Sequence, residues 1–473
     1  MRALLVFFSL SVSFFGIAQD TCSRLEYIQD LSYYNYLIDF YHPKPFLFKD
    51  SVDFRLDIAK LKQEEFLSDK DFYIQLLKIN NQLRDGHLYV QQPQKAVDGS
   101  LCKKKFLPFS VRIVDFNLFV NQSSVNGLKK WDLITSINGV PSSDIIYQML
   151  PLLPVDGFAV NRKYKNLEMY FPVLYWWVFD LQDLNEVEVI SSQGLKAKHK
   201  LIFEPVTGFN ANRLVQQKVN KWRYSVDEER ALSYLEISSF NSQFLPEGQK
   251  FSAYLKSKFK NIREKGVNDL VVDLRGNEGG SVEHMKSLLA YLKTGEYRLY
   301  GKLSINNYLL KDTLSLLLPE DLKVLDRQKI KSSQETIVSN KKLLRAVKES
   351  KSCFKGNVVL LVDGNTFSSA SHLVSLLKGQ SNVHVIGEET GGNQSFCNAG
   401  YTLRAILPNT KIKVHIPLIH GDYGLENNIN KGVQPDTDCA PDVLSYMRFK
   451  DPCVLTAFEY LELIKKNHDK KEK

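Results

Sequence analysis

The chain has 473 residues, of which 44% are hydrophobic and 24% charged, and a formal net charge of +9. That balance suits a globular protein with room for a large core and two to four domains, and it excludes a largely disordered chain. The basic residues are dispersed except for Lys465, Lys466, Lys470, Lys471 and Lys473 at the end. That run reads as a solvated terminus, and with no RNP-like, zinc-finger or helix-turn-helix pattern no nucleic-acid partner is expected.

At the N-terminus Arg2 is followed by an apolar run to Ile17, with Gly16 and Ala18 supplying small residues. A short basic region, an apolar stretch and small residues predict a secretory signal peptide over residues 1–19, cut after Ala18 or Gln19. The run falls short of the ~20 residues a membrane span needs. The expectation is therefore export, to a periplasm or the extracellular space, with no stable membrane insertion. Six cysteines follow, Cys22, Cys102, Cys353, Cys397, Cys439 and Cys453. In an oxidising compartment they can pair as disulfides or stay as buried thiols. None has CxxC spacing, which argues against a zinc site, and the chemistry read below implies no metal or cofactor.

Between Cys22 and Asp85 the apolar positions Leu25, Ile28, Leu31, Tyr34, Leu37 and Ile38 recur at helical spacing, Pro43 and Pro45 interrupt, and a second helix is expected over Lys70 to Leu83. These elements predict an N-terminal helical cap over residues 20–100. From Leu107 the texture changes to short strands, Phe109 to Val114 and Leu118 to Val120. Asn138-Gly139 marks a tight turn between apolar runs, and Ser143 is expected to cap a helix carrying Ile145, Ile146 and Met149. The stretch Gly127 to Pro141 with that helix resembles a PDZ domain. The resemblance implies a PDZ-like β-module over residues 101–205, a type that binds peptides by strand addition. A closing strand is expected over Lys198 to Glu204.

Beyond Pro205 the pattern alternates. Strands are expected at Leu232 to Ile237, Asp269 to Leu274, Val358 to Val362 and Val383 to Ile386, with helical faces at Phe251 to Phe259 and Met285 to Leu292. β-branched runs separated by helices predict a largely parallel sheet covered by helices. The expected α/β domain spans residues 206–450, with a Lys-rich, largely helical insertion over 295–354 and a C-terminal helix and basic tail over 451–473.

Three segments carry chemistry. Phe367-Ser368-Ser369-Ala370-Ser371-His372 follows a strand and opens a helix. Its serines can be simple N-caps, or one can be a nucleophile beside free helix-start amides. Leu274 to Gly280 likewise follows a buried strand, and its paired glycines permit close backbone approach. The third is Arg84-Asp85-Gly86-His87. Taken together, "RDGH", "VVDLRGNEGG" and "GNTFSSASHLVSLL…VIGEETGG…KGVQPD" resemble the C-terminal processing (tail-specific) peptidases and the tricorn protease core. The resemblance implies an α/β catalytic domain of the ClpP/crotonase-like type acting on peptides or unfolded proteins. On the matching positions it implies Ser369 as nucleophile and the amides of Ala370 and Gly279 or Gly280 as the oxyanion hole. The tail-specific branch has a lysine where this chain has Asn393, so the base implied is the tricorn-like one, His87. Glu426 is then the orienting acid, Asp85 its substitute, and His372 an alternative base. Imidazole suits the role because its ordinary pKa of ~6.5 lets it take and return a proton near neutrality. A relative of the same scaffold that binds peptides without cleaving them is the alternative.

Overall fold

A computed structural model describes residues 22–91, 105–179, 185–202, 204–205, 222–241, 243, 249–310, 323–324, 335–339, 341–425, 430–440, 443 and 451–471. The expected signal peptide, Cys102 and Glu426 lie outside the described residues. Among the described residues no helix is long and apolar enough to cross a membrane.

The centre is a six-stranded sheet in the order Tyr224–Asp227, Leu232–Glu236, Asp269–Asp273, Asn357–Val362, Val383–Gly387 and Thr437–Asp438. All its pairings are parallel except the first. Period-two alternation sorts its side chains. Leu270, Val272, Val358, Leu360 and Val385 meet the helices Phe251–Glu264, Val282–Leu292 and Ser369–Leu377 through Leu255, Phe259, Leu288 and Leu373. Val271, Val359, Leu361 and Ile386 face the other way, onto Ala457 and Leu461 of the C-terminal helix Pro452–Lys471. Both faces are apolar because both are covered. Lys465, within the run read as a solvated end, binds Asp269 at 2.7 Å. A disulfide joins Cys439 to Cys453 at that helix's start.

A second, antiparallel sheet is built on the hairpin of Phe396–Ile406 and Lys413–Asp422, whose second strand pairs along its other edge with Tyr89–Gln91 at one end and Lys302–Asn306 at the other. The segment expected to be a helical insertion therefore contributes strands, Lys302–Asn306, Lys323–Val324 and Glu335–Ser339, among its described residues. Ladder partners on the distant hairpin override the local helical spacing.

The N-terminal helices are Arg24–Tyr41, Ser51–Leu61 and Asp69–Gln82. They share one core with a third sheet, made of Phe109–Val114, Asn117–Ser123, Leu133–Ile137, Val140–Pro141, Glu186–Ile190 and Lys196–Lys200, and with the hairpin. Buried Asp30 joins the first helix to the hairpin's turn by accepting from the Asn409 and Thr410 amides at 2.9 and 2.8 Å. Asn138 and Gly139 both adopt positive φ, 51° and 76°, in the turn between Leu133–Ile137 and Val140–Pro141. The next helix is Ser142–Met149, starting two residues earlier than a Ser143 cap implies, so Ser143 sits inside it rather than capping it. The 19-residue helix Val160–Val178 was not legible: its aromatic run and internal Pro172 mask a helical period.

Leu461, 2% exposed beneath the sheet, holds the C-terminal helix in place. Leu461→Ala should cost about 2–4 kcal/mol, seen as a lower urea midpoint of unfolding.

Candidate active site

The strand Asn357–Val362 runs into the turn Asp363 to Phe367 and then the helix Ser369–Leu377. Asp363 Oδ1 accepts the amides of Gly276 and Asn365 at 2.8 and 3.0 Å, Thr366 Oγ1 donates to the Leu274 carbonyl at 3.1 Å, and the Phe367 amide donates to the Asn277 carbonyl at 3.0 Å. Two strand-to-helix turns are thus stitched into one unit. At its tip Ser368 has φ 53° and ψ −127°. This is a costly conformation for a residue with a Cβ, and one that persists only where the surroundings enforce it. It resembles the sharp turn by which other hydrolases expose a serine hydroxyl.

The Ser368 Oγ lies 3.1 Å from His87 Nε2, across 281 positions of sequence. The imidazole stacks on Phe367, with ring centroids 4.7 Å apart. Its Nδ1 lies 3.9 Å from carboxylate oxygens of both Asp85 and Asp156, too far for direct hydrogen bonds but close enough for charge to act. Burial lowers the imidazole's pKa to about 4, against the pull of Asp85 and with help from Arg162. His87 is therefore neutral near pH 7 and able to accept a proton. Cys397 completes the wall, its Sγ 3.7 Å from His87 Nε2.

The carboxylates divide the work. Burial alone would raise Asp85, but His42 Nε2 at 2.7 Å, with His87 beside it, holds the carboxyl below its ordinary range. The Lys44 amide donates to His42 Nδ1 at 3.2 Å, so the His42 proton sits on Nε2 and points at Asp85. Asn398 Nδ2 and the His87 amide also donate to Asp85, at 2.9 and 2.7 Å. Asp156 is pushed the other way, up to about 8, by burial and by the Asp85 charge, although it accepts the amides of Gly86 and Asn393. A Cβ on Gly86 would stand 2.8 Å from Phe367 Cζ, which explains a glycine directly before the histidine.

Several expectations are corrected. Ser369 does not meet the imidazole: as the first residue of the helix it turns its hydroxyl to the Gly280 carbonyl at 3.3 Å, and Ser368 takes the place expected for it. The Ala370 amide donates to the Phe367 carbonyl at 3.0 Å and the Gly279 amide to Asn277 Oδ1 at 2.9 Å, so neither is free for an oxyanion. Among the described residues the amides of Ser369 and Gly280 have no acceptor. Gly279 matters for closeness: at φ 94°, a Cβ there would lie 2.8 Å from Ser368 Cβ. His372 is fully committed elsewhere, its Nε2 bonded to the Leu299 carbonyl at 2.7 Å and its ring stacked on Tyr423 at 3.7 Å. Burial lowers its pKa to about 3.

Sequence reasoning missed Asp156, Phe367 and Arg162. Arg162 is 2% exposed, lies 4.3 Å over the Phe367 ring and reaches Glu278 and Asn365. A carboxylate in the turn after the apolar run Leu150 to Val155 was the available signal for Asp156. Among the described residues Asp85, His87 and Asp156 form the one group whose ligand atoms lie close enough to share an ion. Both carboxylates already accept from backbone amides, and Asp85 also from His42.

Residues 231–439 match the model of peptidase family S41. The structure of mature CPAF complexed with lactacystin is similar, with 16% identity, 94% of this chain and 98% of that one covered, and a TM-score of 0.64. For mature CPAF the identity is 16%, the coverages 88% and 92%, and the TM-score 0.60. The photosystem II D1 C-terminal processing protease aligns over 89% of this chain and 94% of its own, at 16% identity and a TM-score of 0.42. At such identities the CPAF likeness speaks for the fold. No curated protein matches the chain.

Linkage gives a stability signature. His87, lowered from 6.5 to about 4, adds stability present above pH 6.5 and lost as pH falls through 4. Asp156, raised from 3.8 to about 8, adds stability present below 3.8 and lost as pH rises through 8. Between about pH 4 and 6.5 the two slopes cancel, and between 6.5 and 8 Asp156 acts alone. Asp156→Asn should therefore flatten the decline in denaturation free energy that wild type shows from pH 6.5 to 8, on the order of 1–2 kcal/mol.

Proposed function

We propose that this chain, whose residues 231–439 match the model of peptidase family S41, is an exported serine peptidase that cleaves peptide bonds with Ser368 as nucleophile and His87 as base. The observation that carries this reading is the 3.1 Å contact between Ser368 Oγ and His87 Nε2 at a strained turn. His87 Nε2 takes the hydroxyl proton as Oγ attacks the scissile carbonyl carbon. The resulting oxyanion is held by the Ser369 and Gly280 amides. His87 then gives its proton to the departing amine, and water repeats the sequence to release the acyl group. Ionised Asp85, backed by His42, stabilises the imidazolium, and Asp156 orients the ring through the Gly86 and Asn393 amides. Glu426 keeps the orienting role that the family resemblance implies as a separate candidate.

The parallel sheet with helices on both faces supports a catalytic domain of the ClpP/crotonase-like type over residues 206–450. The antiparallel sheet with the helix Ser142–Met149 supports a PDZ-like module within 101–205, and the three N-terminal helices a cap within 20–100. Peptides and unfolded proteins are the substrates. Export rests on the signal-like N-terminus and on the Cys439–Cys453 disulfide, which suits an oxidising compartment.

Ser368→Ala should lower peptide cleavage about 10⁴-fold or more and abolish labelling by a fluorophosphonate, whereas Ser369→Ala should keep labelling and most activity. Labelling that disappears with Ser369→Ala and survives Ser368→Ala would reverse the assignment. The acid limb of kcat/KM should fall near pH 4 rather than 6.5, because the free enzyme's base titrates there.

A further inference from the structure

Behind the catalytic segments lies a cavity of about 60 Å³ between the helices Asp69–Gln82 and Val160–Val178 and the strand Tyr89–Gln91. Its wall is mostly apolar, with Leu77, Val90, Leu153, Leu174 and Trp177 prominent. One wall residue is out of place. Asn166 is 1% exposed, and neither its Nδ2 nor its Oδ1 has a hydrogen-bond partner among the described residues. A buried carboxamide left unpaired is costly, by roughly 1–3 kcal/mol per group, so an occupant is needed to complete it.

Water serves poorly here. At roughly 10–15 Å³ each, about four to six waters would fit, but an ordered buried water needs two to four polar partners. Three other polar side chains on the wall already have partners: Tyr73 donates to the Val90 carbonyl, Asn80 Nδ2 to the Leu88 carbonyl, and Asn81 Nδ2 to the Pro151 carbonyl. A carboxamide is the natural complement of a carboxamide, since an N–H of each can donate to the oxygen of the other. We propose that this cavity binds a small neutral molecule with a short apolar body and one carboxamide head, the head pairing with Asn166. The walls continue directly into the site. Val90 lies three residues after His87, and Leu153 three before Asp156, so the occupant would stiffen both supports of the imidazole.

Butyramide is a suitable probe, with the full chain titrated by thermal shift. Wild type should show a saturable rise in Tm of about 3 °C or more, and Asn166→Leu should lose that response. Asn166→Leu without ligand should melt above unliganded wild type, because it removes an orphaned amide and fills the void. Leu174→Phe, which fills the void and keeps Asn166, should also lose the response. No saturable shift in wild type, an equal shift in both variants, or a crystal soaked in butyramide showing only water on Asn166 would overturn the proposal. Binding is read without activity, so this outcome is separate from that of the Ser368 tests.

Discussion

The contact between the His87 imidazole and the Ser368 hydroxyl is the constraint around which the molecule is arranged. The two residues belong to segments 281 positions apart, and neither could find the other without the second sheet. Tyr89–Gln91, directly after the histidine, pairs with the strand Lys413–Asp422. That strand's hairpin partner begins at Phe396 and presents Cys397 and Asn398 to the same site. The N-terminal helices are thus tied to the hairpin rather than appended to it, and their core is continuous with it.

The second requirement is a backbone that holds Ser368 in a conformation it would not choose. The cost of a positive φ at a non-glycine residue is of order 1–3 kcal/mol, and it is offset by the bonds that join the Asp363 turn to the Leu274–Gly280 turn. The same turn leaves the next amide, that of Ser369, without an acceptor among the described residues.

Electrostatics then separates two carboxylates that are neighbours in space. Asp85 receives donors from His42, Asn398 and the His87 amide and stays ionised. Asp156, equally buried and beside that charge, holds its proton more tightly. Two like charges in a dry site cannot both ionise easily, so the imidazole faces one charged and one neutral carboxyl. That contrast depends on burial and could not be seen in residue types.

The parallel sheet, the helices that cover it, the Asn138-Gly139 turn and the histidine of the "RDGH" segment were legible because each rests on local patterning: period-two runs, turn chemistry and a motif of fixed spacing. Which of the adjacent serines faces the histidine was not, because Ser368 and Ser369 differ only in backbone torsion, and torsion at a turn is imposed by contacts with Asn277 and Leu274 nearly a hundred residues away. The strands at Lys302–Asn306 and Glu335–Ser339, the placement of Asp156 beside His87 and the commitment of His372 to Leu299 likewise arise from partners far along the chain. Short-range chemistry is written in residue order. Long-range pairing, burial and the ionisation states they set exist only once the chain has closed on itself.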